Sequence, residues 1–187
     1  MKRDLSMTNL LAGALLVSPL VVMPMLVLPM HAQQTPVSMT AVVKQQYSGL
    51  KRNILAAAEK MPEDKYAFKP VDTVRSFGQI LAHVADGQYE FCGAAAGNHD
   101  QKGFEKSAKT KADIVAALKT AFAYCDAIYA GMTDAKASEM MPAFGGAKIT
   151  RLSMLDFNMS HTMEHYGNLV TYMRIQGIVP PSSESQR

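Results

Sequence analysis

Apolar side chains recur every three to four residues in four separate segments of the chain, a spacing that is typical of amphipathic helices. These segments cover residues 38–60, 76–96, 110–131 and 151–176. We find no segment with the strict alternation of apolar and polar residues that marks a half-buried strand. The pattern therefore predicts an all-α protein with four helices of about 20 residues each.

Local start and stop signals delimit these helices. The sequence SFGQ at Ser76 fits a capping box at the start of the second helix. Pro62 and Pro70 rule out continuation of the first helix, and Gly177 is expected to end the fourth. The bundle is thus expected to cover residues 38–180, followed by a flexible tail at residues 181–187.

Four helices of this length favour a four-helix bundle. The connection between helices two and three has 14 residues, 97–110, and is polar. Fully extended, it can reach about 46 Å, whereas a helix of 20 residues is about 30 Å long. A crossover that makes helices two and three parallel is therefore allowed.

The N-terminal 32 residues differ from the rest of the chain. Basic residues precede an uncharged, mostly apolar stretch at residues 10–28, and Ala32 supplies a small residue before a polar segment. This order is the layout of a secretory signal peptide that is cleaved after Ala32, which leaves residues 33–37 as a linker. A retained membrane anchor is the alternative, but three prolines between residues 19 and 29 disfavour one spanning helix.

Composition narrows the classes of partner. The net charge of +3 falls to +2 once residues 1–32 are removed. The chain has no basic stripe interleaved with aromatic residues, so we expect no nucleic acid. We also expect no stable membrane association after cleavage, and a location in the periplasm or outside the cell. A small-molecule substrate is expected, and a homodimer is allowed.

The two cysteines offer a test of helix direction. Cys92 lies about 16 residues into helix two, and Cys125 lies about 15 residues into helix three. Parallel helices would place them at one level, whereas antiparallel helices would separate them by about 15 Å or more, beyond the reach of a disulfide. Export permits a disulfide, and we expect one between parallel helices. Two buried thiols that fill core space are the alternative.

The clearest candidate chemistry lies on helix four. His161 and His165 are four residues apart, so their side chains share one helical face. The other residues of that face are Met154, Asn158, Asn168 and Tyr172. The face is too polar for a plain core stripe, and buried polar groups need partners that a polar cavity or a bound ion would supply.

A third histidine could complete a metal site. His83 lies on helix two, with Asp86 and Glu90 nearby as groups that could orient a ligand or contact a substrate. His99 lies in the crossover and is expected to be solvated. Three neutral imidazoles with one open position are typical of a catalytic site, and they suit zinc, nickel, copper or iron. Spacing alone is a weak signal, and two histidines that merely share a face remain the alternative.

Other metal and cofactor chemistries are disfavoured. The pair reads HTMEH, so no glutamate occupies the position that the zincin motif H-E-x-x-H requires. The chain has no E-x-x-H, which disfavours a di-iron carboxylate bundle, and no C-x-x-C-H for covalent haem.

A resemblance to a known family is carried by three stretches, MPEDKYAFKP, RSFGQILAHVAD and SHTMEHYGNLVTYMRIQGIVPPSS. Over residues 38–183, where these stretches occur in the same order, the chain resembles the DinB-like family of bacterial four-helix-bundle metalloproteins. The resemblance implies an up-down-down-up bundle with parallel second and third helices. It also implies a divalent metal, zinc or nickel, held by His83, His161 and His165. Many relatives have Asp after the first histidine of the pair, where this chain has Thr162.

The resemblance is less informative about the reaction, since some relatives transfer low-molecular-weight thiols or isomerise thiol adducts. We expect an exported metal-dependent transferase or hydrolase that acts on a small molecule, with a thiol among the candidates. Asn158, Glu90 and Tyr172 are candidate orienting groups. The alternative is a non-enzymatic metal-binding or stress-related binding module. An open coordination position would favour the enzyme, and a fourth protein ligand would favour the module.

Overall fold

The computed structural model describes residues 38–186, so the predicted signal peptide and linker lie outside the described residues. Six α-helices and two strands follow one another along this part of the chain. The helices are α1 Met39–Lys60, α2 Phe77–Ala96, α3 Phe104–Ser107, α4 Lys111–Gly131, α5 Asp134–Ala137 and α6 Arg151–Ile175. The strands are β1 Met140–Pro142 and β2 Lys148–Thr150, and 3-10 helices occupy Glu63–Lys65, Phe144–Gly146 and Pro181–Gln186.

The four long helices, α1, α2, α4 and α6, correspond to the four predicted segments. The predicted cap of α2 is confirmed, because the Ser76 hydroxyl accepts from the Gln79 N–H and the Gln79 side chain accepts from the Ser76 N–H. Each of these bonds satisfies a backbone donor that the first helical turn leaves free. The sequence therefore fixes where α2 begins, and with it the position of every residue on that helix.

Contacts near both ends show that α2 and α4 run in the same direction. Near their starts, the Ile114 side chain lies against Gly78. Near their ends, Cys92 and Cys125 form a disulfide with Cα atoms 5.5 Å apart. Antiparallel helices would place these cysteines too far apart to bond. The disulfide therefore requires the parallel arrangement of α2 and α4.

Helices α1 and α6 run opposite to α2 and α4. Lys111, the first residue of α4, donates to the carbonyl of Glu59 near the end of α1. Arg151, the first residue of α6, donates to the carbonyl of Ala95 near the end of α2. Residues late in α6 therefore lie beside residues early in α2, where His83 is found.

The four helices bury one apolar core. Its largest fully buried apolar side chains are Phe77, Phe122, Ile54, Met61, Leu81, Leu118, Met154, Leu155, Leu169, Met173 and Val84. Within the described residues, α4 alone is long and apolar enough to cross a membrane, but Leu118 and Phe122 pack it into this core.

The hairpin of β1 and β2 departs from the all-α prediction. The strands pair antiparallel, with Met140 opposite Thr150. Gly145 and Gly146 in the connection have φ angles of 69° and 80°, which glycine adopts without the strain of a side chain. Strands of three residues are too short for the alternation of apolar and polar residues to reveal them.

The end of the chain also differs from the predicted flexible tail. Pro181–Gln186 form a 3-10 helix instead. The Arg174 guanidinium donates to the Ser183 hydroxyl at 2.9 Å, and Lys60 pairs with Glu184. Polar contacts to α6 and α1 therefore hold a segment whose composition alone suggests no fixed structure.

Candidate metal centre

Three imidazoles converge between α2 and α6. The Nε2 atom of His161 lies 3.1 Å from Nε2 of His83 and 3.1 Å from Nε2 of His165. One nitrogen of each ring lies within 4.8 Å of the other two. The structure thus brings together the three histidines that the sequence indicated, through the same ring atom of each.

These distances fit a shared metal ion. Zn–N bonds of about 2.0–2.1 Å require ligand nitrogens roughly 3–3.5 Å apart. The Nδ1 atoms of His161 and His165 are buried without a hydrogen-bond partner among residues 38–186. Each ring faces the common point through Nε2, where one cation could accept all three lone pairs. Imidazole donors suit zinc, nickel, copper and iron.

Glu105 orients His83 from outside the cluster. Its Oε2 atom lies 3.1 Å from Nδ1 of His83, and its Oε1 atom accepts from Nε of Arg75 at 2.8 Å. A carboxylate at Nδ1 keeps the proton on that nitrogen, so the lone pair of Nε2 faces the other two rings. Sequence analysis missed Glu105, because nothing in the crossover distinguishes it from the other charged residues there.

Asp86 holds Glu105 in place. Its carboxylate accepts from the backbone N–H of Phe104 at 2.7 Å and from that of Glu105 at 2.9 Å. These are free N–H groups at the start of α3, which a carboxylate satisfies well. Asp86, predicted as a group near the site, therefore acts through α3, a helix that the sequence pattern did not predict.

Burial keeps the histidines of α6 neutral at physiological pH. Loss of solvation is the largest cause that lowers the pKa of His161 from 6.5 to about 4, and repulsion from His165 and His83, when they are protonated, and from Arg75 adds to it. Loss of solvation is also the first cause that lowers the pKa of His165. Neutral imidazoles are the form that binds metal, so protons compete weakly at pH 7.

A polar cleft of about 680 Å3 opens beside the cluster. Its lining includes Arg75, Glu105, Glu164, His165, Asn168 and Tyr172. The Tyr172 hydroxyl donates to the carbonyl of Arg75 at 3.0 Å, which ties α6 to the segment that precedes α2. Tyr172, a predicted orienting group, therefore forms part of the cleft wall beside the cluster.

A family model described as the DinB superfamily matches residues 46–169, a span that includes all three histidines. The chain belongs to the DinB superfamily. It is 28% identical over 123 residues to the uncharacterized protein YjoA of Bacillus subtilis strain 168, which covers 64% of this chain and 79% of YjoA.

Two solved structures of DinB-like proteins show the same helical fold. The crystal structure of YjoA from B. subtilis matches with a TM-score of 0.59 and 23% identity, over 73% of this chain and 92% of that one. A DinB-like protein from Bacillus cereus ATCC 10987 matches with a TM-score of 0.65 and 13% identity, over 74% and 93%.

Two predicted orienting groups lie elsewhere. Asn158 is fully buried, and its Nδ2 donates to Gln88 at 3.1 Å and to the Tyr129 hydroxyl at 3.3 Å. Glu90 is exposed and lines a separate cavity of about 330 Å3 that also includes His99. Helical spacing placed Asn158 near the histidine face and Glu90 near His83, but neither lines the cleft beside the cluster.

Thr162, which follows the first histidine of the pair, belongs to a buried hydrogen-bond network. Its hydroxyl accepts from Gln88 at 2.9 Å and donates to the carbonyl of Asn158 at 2.8 Å. The side chain is buried and its hydroxyl is engaged by both bonds. A carboxylate at position 162 would place a charge beside Gln88 in the core. The two hydrogen bonds of the Thr162 hydroxyl therefore explain why a threonine fits this position.

Glu105→Gln should lower the affinity for a divalent ion by about 10- to 100-fold, the usual cost of losing a partner behind a ligand. The amide can still accept from Nδ1 of His83, but it lacks the charge that increases the basicity of the ring. Competition with a chelator measures the effect.

The matched control is Glu164→Gln, which removes the same charge near His165 without altering a described hydrogen bond to an imidazole. Equal losses in both variants would show that only net charge matters at this site.

Gly87 leaves room for the ring of His161. A Cβ atom added at Gly87 would lie 2.8 Å from Cε1 of that ring, too close for a real contact. Gly87→Ala should therefore shift His161 and lower metal affinity at least about tenfold, since a ligand displaced by a fraction of an ångström no longer meets the ion well.

Gly167→Ala on α6 is the matched control, because a Cβ atom at Gly167 meets nothing within 4 Å. This variant should keep the metal and gain up to about 1 kcal/mol of stability from helix propensity. Unchanged metal affinity in Gly87→Ala would contradict the proposed packing of His161.

In metal-free protein, the stability contribution of His161 should fall as the pH drops from 6.5 to about 4. In that window the unfolded chain binds a proton at this residue and the folded protein does not, so acid favours unfolding. Above the window both states are neutral, and below it both are protonated. Urea unfolding of chelator-treated protein should show a shallower pH dependence in His161→Gln than in wild type. Identical slopes would refute this.

Proposed function

We propose that this DinB-superfamily protein binds one divalent metal ion, zinc or nickel, and uses it as a transferase or hydrolase for a small molecule. Its ligands are the Nε2 atoms of His83, His161 and His165. The observation that carries the proposal is the 3.1 Å convergence of these atoms at the wall of a cleft of about 680 Å3.

The ion would supply a Lewis acid that lowers the pKa of a water or thiol to a value near neutrality. The residues around the cluster hold the imidazole rings in place and orient them. Glu105 keeps the proton of His83 on Nδ1. The His161 ring lies close against Gly87, which limits its movement toward α2. The cleft borders His165 and offers a ligand a route to the cluster.

An open coordination position favours an enzyme over a binding module. Within residues 38–186, the group of residues able to hold one ion contains the three histidines and no fourth side chain. Three protein ligands beside a cleft are typical of catalytic zinc sites, whereas structural sites are closed by four protein ligands.

The protein is proposed to work outside the cytoplasm, in the periplasm or as a secreted protein. Support comes from the signal-peptide pattern at residues 1–32 and from the Cys92–Cys125 disulfide, a bond that persists in oxidising compartments. Mass spectrometry of protein from its own host should find an N-terminus near Gln33. A full-length chain in the membrane fraction would contradict cleavage.

Metal analysis of protein purified from its own host, followed by an activity screen, tests the proposed function. We expect about one equivalent of a divalent ion, with turnover in a screen of thiols with electrophiles or of small hydrolysable substrates. Activity should disappear on chelation and return with the metal. A protein that binds the ion but turns over nothing in either screen would favour the binding module.

A further inference from the structure

Arg75 places a cation in the cleft wall. Its Nε donates to Glu105 at 2.8 Å, and its carbonyl accepts from the Tyr172 hydroxyl at 3.0 Å. A guanidinium carries five N–H donors, and this bond uses one of them. Across residues 38–186 no other hydrogen bond to the Arg75 guanidinium is present. The side chain is thus oriented by one carboxylate and retains its outer donors for a ligand.

The charge of the cleft depends on the ion. The charged side chains that line it, apart from the histidine, are Lys69, Asp72, Arg75, Glu105 and Glu164. Two cations and three carboxylates give −1, and a bound divalent ion changes the total to +1. Both cations already pair with a carboxylate, but the Lys69 ammonium contacts a carboxylate oxygen and the carbonyl of Asp72, each at 3.1 Å, whereas Arg75 uses Nε alone on Glu105. In the loaded protein, Arg75 is therefore the cation best placed to bind an anion.

The same carboxylate joins the cation to the metal site. Glu105 contacts Arg75 with one oxygen and His83 with the other. Only the Glu105 side chain therefore separates the guanidinium from His83. The guanidinium also borders the cleft that reaches His165. A small molecule bound at Arg75 through one end could present its other end to the ion.

We propose that the ligand of this cleft is a small molecule with an anionic group, a carboxylate or similar planar anion, that Arg75 binds while the reactive end reaches the histidines. This inference rests on the proposed metal site and specifies its substrate class. A planar guanidinium recognises a carboxylate through paired hydrogen bonds, whereas a neutral or cationic end gains nothing there.

Three thiols that share a two-methylene linker but differ in the charge of the terminal group test the inference. They are 3-mercaptopropionate, 2-mercaptoethanol and cysteamine, added to cobalt-substituted protein while the sulfur-to-cobalt absorption is followed. Arg75→Gln should lower the affinity for 3-mercaptopropionate by at least about tenfold, as expected for a lost charge-assisted hydrogen bond. The affinity of this variant for 2-mercaptoethanol should stay within about twofold of wild type, and its affinity for cysteamine should not fall.

Arg75→Lys keeps the positive charge but lacks the paired N–H donors of the guanidinium. It should recover part of the affinity for 3-mercaptopropionate that Arg75→Gln loses. Arg52→Gln, which alters an exposed arginine of α1 outside the cleft lining, should change nothing. Metal content, measured for each variant, separates an effect on the ligand from an effect on the ion. Equal weakening of all three thiols by Arg75→Gln, or no weakening of 3-mercaptopropionate, would overturn the inference.

Propionate, which has no thiol, separates this inference from the proposed function. It should shift the side-chain 15N resonance of Arg75 saturably in metal-loaded wild-type protein, and propionamide should not. If no thiol alters the cobalt absorption while propionate still shifts Arg75, thiol chemistry is wrong and the anion site stands. If propionate produces no saturable shift, the anion site is wrong whatever the thiols do.

Discussion

His161→Ala should lower the affinity of the protein for a divalent ion by more than about 100-fold, beyond the usual cost of losing a partner behind a ligand. His161 is the central residue of the cluster, since its Nε2 lies 3.1 Å from Nε2 of both His83 and His165. Its loss leaves two nitrogens, which hold a zinc-like ion poorly. Metal analysis after dialysis and competition with a chelator measure the change.

The fold of this variant should survive, because alanine favours a helix and α6 packs through other side chains. Circular dichroism should show the same helical content. His99→Ala is the matched control, since His99 is exposed in the crossover and lines a different cavity. One full equivalent of tightly bound metal in His161→Ala would contradict the site assignment.

Removing the Cys92–Cys125 disulfide should cost about 3–4 kcal/mol of unfolding free energy, from the chain entropy of a loop with a sequence separation of 33. Cys92→Ala/Cys125→Ala is the variant of choice, since both cysteines are fully buried and a serine hydroxyl there would need a partner. The cost corresponds to a melting temperature lower by about 10 °C for a domain of this size.

Wild-type protein unfolded with and without a reductant provides the control for side-chain packing. Reduction should reproduce most of the loss while both sulfur atoms stay in the chain. The variant should still bind metal at neutral pH, because its histidines and Glu105 are unchanged. A loss below about 1 kcal/mol on both routes would contradict this estimate and show that residual structure already restricts the unfolded chain.

The long helices and the histidine cluster are predictable from the sequence because both depend on helical spacing. Ser76 and the prolines after α1 act locally, and the four-residue spacing of His161 and His165 fixes one shared face in any helix. His83 could be added as the remaining histidine on a predicted helix. The fold class therefore followed from periodicity, and the candidate metal ligands from residue type together with the family resemblance.

The surroundings of the cluster were not predictable in the same way. Glu105 reaches His83 only because Asp86 caps α3, a helix of four residues inside a polar crossover. Periodicity has no signal at that length. The position of Asn158 was not predictable for a related reason. Its angle on α6 does not reveal that its side chain is buried in the core and donates to Gln88.

X-ray absorption spectroscopy of the zinc-loaded protein tests the three-histidine centre, because it counts the ligands around the ion. We expect three imidazole nitrogens at about 2.0–2.1 Å, no sulfur, and at least one further light atom from solvent. In His83→Ala the imidazole count should fall to two or the ion should be lost. Two imidazoles or fewer in wild type, or a sulfur ligand, would contradict the three-histidine centre.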